Sequence, residues 1–390
     1  MTTSRTTAWS LGWPAGSVPA DYVLGGVRAV LPDAVIDNAR VVVRDGLVAE
    51  VGPAPSGAGS LRGADLDGAG LLCVPGLIDV HSDALERERA PRPGVHLPWD
   101  FAVTSLEGKF SAAGITTAFH GAGFQDKMAG AMARSARTAI EVCEAVTARS
   151  PQGAAALAAA LDGHPATAES LPLVSHEDHT PGQGQYADRA YMERYIAGAS
   201  GLSAEQAAQR VDEMIAERDA HLPVLERNMA WLGSLALAGR IRLVGHDMDS
   251  PEAVEALRAR GGSVAEFPTT VDAARKAREL GLPIVMGAPN VMRGESHSGN
   301  VSAAVLVEFG LVDALASDYL PSGLLDGAFT LARKGLAPLP AAIGLVTSGA
   351  AAAAGLFDRG RLAAGLRADL ALVDDTGSWP VVRATFRAAA

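Results

Sequence analysis

A histidine and an aspartate two residues apart, His81 and Asp83, close the stretch LLCVPGLIDVHSD. On an extended strand, positions i and i+2 point to the same side, so both side chains can reach one ligand. Imidazole and carboxylate together are donors for a divalent metal ion. An H-x-D pair alone is common, but three further residues of the same kind stand in comparable settings. They are His179 in LPLVSHEDH, His246 in RIRLVGHD and Asp318 in VDALASD, each just past an apolar run. Five such side chains brought to one point would make a nitrogen-and-oxygen site for Zn²⁺, or for Mn²⁺ or Fe²⁺. His96, His164 and His221 fall in loops or helices and read as ordinary histidines, and the role of His120 is open.

Positioning those residues calls for strands that end at a common rim. Seven runs read as strands: LLCVPGLIDVH, GITTAFH, LPLVSH, RIRLVGH, GSVAEF, LPIVMG and VDALAS. They alternate with Ala-rich helical stretches, the pattern of βα units around a parallel sheet. Polar residues follow each run, as at the carboxyl-end rim of a (β/α)₈ TIM-type barrel. A doubly wound open sheet would need a Gly-rich phosphate turn after its first strand, and PGLIDVHSD is not one. No eighth strand is legible between Gly121 and Ser170, where ARTAIEVCEAV reads as an outer-ring helix. The region from Gly201 to Gly239 also has helical apolar spacing, so Met214, Met229 and Trp231 read as packing, and Ala341 to Phe357 reads as a buried helix. Val18 to Leu72 has antiparallel strand style with Asp45-Gly46 as a hairpin turn, and the last segment returns to that style. The expected organisation is a small composite β-sandwich domain from residues 18–72 and 359–390, around a barrel spanning 73–358, with one barrel strand incomplete.

Composition sets bounds on this picture. The 390 residues carry 33 Lys+Arg and 44 Asp+Glu, a net charge of −11, with 48% hydrophobic and 20% charged residues. Such a chain buries a large core, which excludes global disorder. The acidic surface argues against nucleic acid and anionic membrane as partners, and any anionic substrate must be met by a local cluster of Arg, Lys or metal. Cys73 and Cys143 form no disulfide framework and read as small core residues. No apolar run reaches the roughly 20 residues of a membrane span, and MTTSRTTAWSLGWPAG lacks the apolar centre of a secretory signal. The cytoplasm is the expected compartment, and homo-oligomers are left open.

With the blocks DVHSDALERERAPRPGV, SHEDHTPGQGQ, AEFPTTVDAARKA, APNVMRGESHSGN and ASDYLPSGLL in view, the chain resembles the amidohydrolase superfamily. Within it, the sequence is similar to the α-D-ribose 1-methylphosphonate 5-triphosphate diphosphatases of the carbon–phosphorus lyase pathway, from about Pro19 to Asp374. The resemblance implies hydrolysis of a phosphorylated sugar phosphonate, leaving a 5-phosphate and releasing pyrophosphate. It also implies His81, Asp83, His179, His246 and Asp318 as holders of one or two divalent ions, with Asp318 as the general base. A triphosphate needs donors: Arg92 and Arg293 are the candidate cations, and Asn290, Ser296, His297 and Ser298 stand in the same Gly-punctuated block as Arg293. One departure stands out. Two-metal members of the superfamily bridge their ions with a carboxylated Lys or a Glu on a middle strand, and none is evident before LPLVSHEDH. Glu144, Asp162 and Glu169 are substitutes that nothing distinguishes. Two other readings compete: hydrolysis of an amide or cyclic imide, and a non-catalytic binding protein built on a decayed barrel. A donor-rich loop around Arg293 speaks against the first, and retention of all five ligand-type residues against the second.

Overall fold

The structure is a computed structural model that describes residues 18–54, 64–120, 140–141, 144–147, 154–155, 157–159, 161, 171–296 and 298–388. Strands from both ends of the sequence build one sheet. They are β1 (Tyr22–Val30), β2 (Val35–Arg44), β3 (Leu47–Pro53), β4 (Leu66–Asp67), β5 (Leu72–Pro75), β15 (Leu370–Asp374) and β16 (Val381–Phe386), in the order β16-β15-β5-β1-β2-β3 with β4 beside β1. The β2–β3 hairpin turns at Asp45 and Gly46, both with positive φ (52° and 72°), as a tight Asp-Gly turn requires. One face buries a cluster that includes Tyr22, Leu24, Val41, Cys73, Leu370 and Phe386.

The remaining strands are parallel. They are β6 (Leu77–Ser82), β7 (Ile115–His120), β8 (Ile140–Glu141), β9 (Glu144–Thr147), β10 (Leu173–Glu177), β11 (Arg242–His246), β12 (Gly262–Glu266), β13 (Ile284–Gly287) and β14 (Ala314–Ala316). They divide into two sheets, β6-β7-β8 and β9-β10-β11-β12-β13-β14. Past the end of β14 the chain rejoins β6: Asp318 N–H donates to His81 O (3.0 Å), and Asp83 N–H donates to Asp318 O (2.7 Å). Asp79 reinforces this seam from within, accepting Ser317 N–H at 2.8 Å and the Ser317 hydroxyl at 2.5 Å. Neighbouring residues on these strands are buried on opposite faces. Leu77, Leu243, Ile284 and Leu315 pack under the outer helices, whereas Ile78, Val244, Val264 and Val285 pack with the Ala-rich helix Ser348–Ala354. Burial on both faces is what parallel strands covered by helices demand.

Two sequence expectations change here. The segment expected as helix ARTAIEVCEAV contains strand residues instead: β8 pairs with β7 and β9 pairs with β10. Backbone partners on both flanks outweigh a helical spacing that β-branched Ile140, Val146 and Thr147 support poorly. Ala341 to Phe357 holds two short helices, Leu339–Gly344 and Ser348–Ala354, rather than one. Among the described residues no helix is long and apolar enough to cross a membrane.

Candidate metal centre

The rim faces a cavity of about 650 Å³ lined by all five residues singled out as metal-ligand types: His81, Asp83, His179, His246 and Asp318. The helix Pro251–Ala259 and the helix Val271–Glu279 end the rim loops sharply. Ser250 and Thr270 cap them by accepting the N–H groups of Ala253 and Ala273. His81 and His246 stack at 5.4 Å between ring centres, and His179 lies 5.4 Å from His246. His81 Nε2 is 3.3 Å from Asp83 Oδ1, although Asp83 lies just past the end of β6, at the start of the helix Ala84–Arg89.

Three carboxylates that sequence reasoning did not select complete the arrangement. Glu177 ends β10, and its carboxylate lies within 4.8 Å of ligand atoms of His81 and His246. Asp247 stands within the same limit of His179 and His246, with its Oδ2 3.5 Å from His179 Nε2. Glu266, at the end of β12, lies 2.8 Å from His246 Nδ1 and 3.2 Å from His81 Nδ1. A signal for Glu177 was present: it precedes His179 by two residues, the spacing that joined His81 to Asp83. Asp178, between them, points elsewhere, toward Arg218 at 3.8 Å. Asp247 follows a strand end, where alternation gives no guidance; it has a φ of 55° and lines a small space of about 70 Å³ beside the cavity.

The electrostatics are those of a cation site. Burial works against charge on His246, yet Asp247, Glu177 and Glu266 outweigh it and push its pKa up to about 10. His81 is likewise raised despite its burial, by Glu266 and Asp83. Burial and nearby Asp83 lift Asp318 to about 6, with His81 and His246 opposing. Proton and metal compete for the same imidazole lone pair, so a cluster of carboxylates that favours a protonated imidazole is also one in which a divalent cation could replace that proton. His179 Nε2 and Asp247 Oδ2 are buried without a hydrogen-bond partner among the described residues. Orphaned buried donors and acceptors are costly unless something engages them. The donor set of imidazoles and carboxylates fits a divalent metal ion.

The predicted anion-binding residues divide. Arg293 lines the metal cavity. It also lines a small adjoining space of about 70 Å³ with Asn290, Ser296 and Ser298. Asn290 already accepts Ala303 N–H through Oδ1 at 2.9 Å, so it anchors a helix start. His297 lies outside the described residues. Arg92 sits in an exposed turn, bridged to Val95, and does not line the cavity. Arg87 does line it: the helix Ala84–Arg89 that follows β6 carries this guanidinium to the rim, 5.0 Å from the Tyr319 ring. Nearby, Lys109 pairs with Glu88.

No family model matches the chain. An amidohydrolase from a Sargasso Sea environmental sample covers 95% of the chain and 92% of its own, with 13% identity and a TM-score of 0.61. A zinc-bound adenosine deaminase from Xanthomonas campestris covers 95% and 92%, with 14% identity and a TM-score of 0.59. A prolidase solved with N-methylphosphonate-L-proline covers 94% and 98%, with 15% identity and a TM-score of 0.58. These likenesses define a TIM-barrel-like α/β fold of the amidohydrolase type. In sequence, the chain is 36% identical over 321 residues to the α-D-ribose 1-methylphosphonate 5-triphosphate diphosphatase of Escherichia coli strain K12, covering 79% of this chain and 84% of the relative. The chain belongs to that diphosphatase family.

Proposed function

We propose that the protein is a metal-dependent hydrolase that cleaves α-D-ribose 1-methylphosphonate 5-triphosphate between its α- and β-phosphates, yielding the 5-phosphate and pyrophosphate in phosphonate catabolism. The observation that carries this reading is one cavity in which His81, Asp83, Glu177, His179, His246 and Asp318 face Arg87 and Arg293. A neutral amide would leave those two guanidiniums without a purpose. His81, Asp83, His179, His246 and Asp318 would hold the metal, with Glu177 as the middle-strand carboxylate that the interval before LPLVSHEDH lacks. A bound divalent ion, zinc in this reading, supplies a water acidified toward neutral pH and a positive charge for phosphoryl oxygens. Asp318, lifted by burial to about 6, is suited to take a proton near neutrality and return it to the leaving group. Arg87 and Arg293 offset substrate charge on a chain whose net charge of −11 would otherwise repel it. The same reading makes β8 and β9 parts of a third strand in an eight-stranded barrel over 73–358, with residues 18–72 and 359–390 as a composite β-sandwich domain beside it.

The test is pyrophosphate release from a ribosyl 5-triphosphate by zinc-loaded protein, with wild type compared to Asp318→Asn. A fall in kcat of about 10²–10⁴-fold is expected for the variant. Wild-type turnover by Asp318→Asn would remove the proposed base, and metal-loaded wild type that releases no pyrophosphate would overturn the function.

A further inference from the structure

One buried carboxylate outside the ligand set touches two of its members at once. Glu266 is 2% exposed at the end of β12. Its Oε1 lies 3.2 Å from His81 Nδ1, and its Oε2 lies 2.8 Å from His246 Nδ1. The second oxygen also accepts the Ser175 hydroxyl at 3.1 Å. The two imidazoles come from β6 and β11, strands that are not neighbours in either parallel sheet, and their rings stack 29° from parallel. Phe267, the next residue, sets its ring edge-on against both, 5.1 Å from His81 and 5.3 Å from His246. Each imidazole thus has its Nδ1 edge on Glu266 and its ring against Phe267. The opposite edges face other carboxylates: His81 Nε2 is 3.3 Å from Asp83, and His246 Nε2 is 3.4 Å from Asp247.

We propose that Glu266 is a positioning residue that fixes His81 and His246 as a matched pair, setting the tautomer and tilt of both rings at once. A carboxylate accepts hydrogen bonds, so His246 Nδ1, bonded to Glu266, carries the proton and leaves the Nε2 lone pair for the metal; His81 Nδ1 stands 3.2 Å from the other oxygen without an aligned hydrogen bond, placed to adopt the same tautomer. Outer-shell carboxylates of this kind raise ligand basicity and hold ring orientation. Here one group serves two ligands from separate strands, and Ser175 on β10 keeps it from rotating. The inference rests on the metal-centre reading above.

The deciding measurement is metal affinity rather than turnover. Wild type, Glu266→Gln and Glu266→Asp would be titrated with Zn²⁺ against a chromogenic chelator, and the Co²⁺-loaded proteins compared by visible absorption. Gln keeps the volume, but its amide N–H₂ group must confront one Nδ1–H. The expected result is zinc affinity about 10–100-fold weaker with a displaced Co²⁺ band and an unchanged far-UV circular dichroism spectrum. Asp keeps the charge with a shorter reach, so its loss should be smaller. Wild-type affinity and an unshifted Co²⁺ band in Glu266→Gln would overturn the proposal. Should that variant not fold, Glu266→Asp decides by the same two criteria. Wild type that takes up no metal would sink the metal-centre reading itself, an outcome distinct from the failure of Glu266 alone.

Discussion

Asp247, Phe267 and Asp318 each follow a parallel strand by one or two residues, and each has φ between 52° and 56°. Non-glycine residues in this region cost of order 1–3 kcal/mol each, and such strain is tolerated where the surroundings over-determine it. Here the surroundings are backbone bonds: Asp247 N–H donates to Glu266 O (2.9 Å), Phe267 N–H to Val285 O (2.9 Å), and Asp318 N–H to His81 O. The strained residues are the ones that turn polar or aromatic groups onto the metal cavity or the small space beside it, so local stability is exchanged there for placement. Cys73 is the opposite case, a polar-capable atom with no task. It is fully buried in the sheet cluster, and burial pushes its thiol up to about 12. At pH 8 the thiolate, which is the reactive form, is nearly absent in the folded protein. Iodoacetamide should therefore leave Cys73 unmodified in native protein and label it rapidly in guanidinium, as read by peptide mass spectrometry. Native labelling at the rate of a free thiol would contradict the buried placement.

The segment PGLIDVH shows how an element carries the site. Gly76 lets the chain pass from β5 into β6 at a point where a Cβ would lie 2.3 Å from Thr116 Oγ1, so no side chain fits. Farther on, Val80 and His81 continue the strand toward the cavity, while Asp79 turns to the seam and holds Ser317, the residue before Asp318. Replacing Asp79 by Ala would leave a buried hydroxyl and N–H of Ser317 unpaired, a cost of about 1–3 kcal/mol for each unsatisfied group. The expected outcome is a lower urea midpoint with unchanged slope in Asp79→Ala, and no effect would show that the seam closes without it. Much of this level is legible in sequence, because apolar runs ending in His, Asp or Glu give both the strand and its direction. Where the site was missed, the reason is local. Glu177 and Glu266 sit at strand ends inside motifs where histidines and prolines attract attention, and only three-dimensional proximity shows that they converge on His81 and His246. β8 and β9 were missed because strands of two and four residues carry too little periodic signal to oppose a helical pattern.

Across the whole molecule, the strand bearing His81 depends on residues nearly three hundred positions later. β5 continues through Gly76 into β6, and it lies in the sheet between β1 and β15, with Cys73 opposite Leu372 and Pro75 opposite Leu370 of β15. The junction itself is tied to the same late segment: Gly76 N–H donates to Asp369 O at 2.7 Å, and Asp369 Oδ1 accepts Ala388 N–H at 2.9 Å. Farther along, Thr385 donates its hydroxyl to Ser111 O at 2.6 Å, binding β16 to the barrel helix Trp99–Ala112. Leu370, Leu372, Val373 and Phe386 are each at most 2% exposed. At about 1.5–3 kcal/mol for each such side chain, their loss is comparable to the roughly 5–15 kcal/mol that stabilises a folded chain. Removing residues 369–390 should therefore do more than trim a peripheral strand. It strips the cover from β5, frees the Gly76 junction, and so loosens His81 and Asp83 although no residue of the cavity is deleted. The truncated chain is expected to lose cooperative urea unfolding and metal uptake together. A chain ending at Ala368 that retains the full-length urea midpoint and metal content would show that the barrel holds its centre without the sheet.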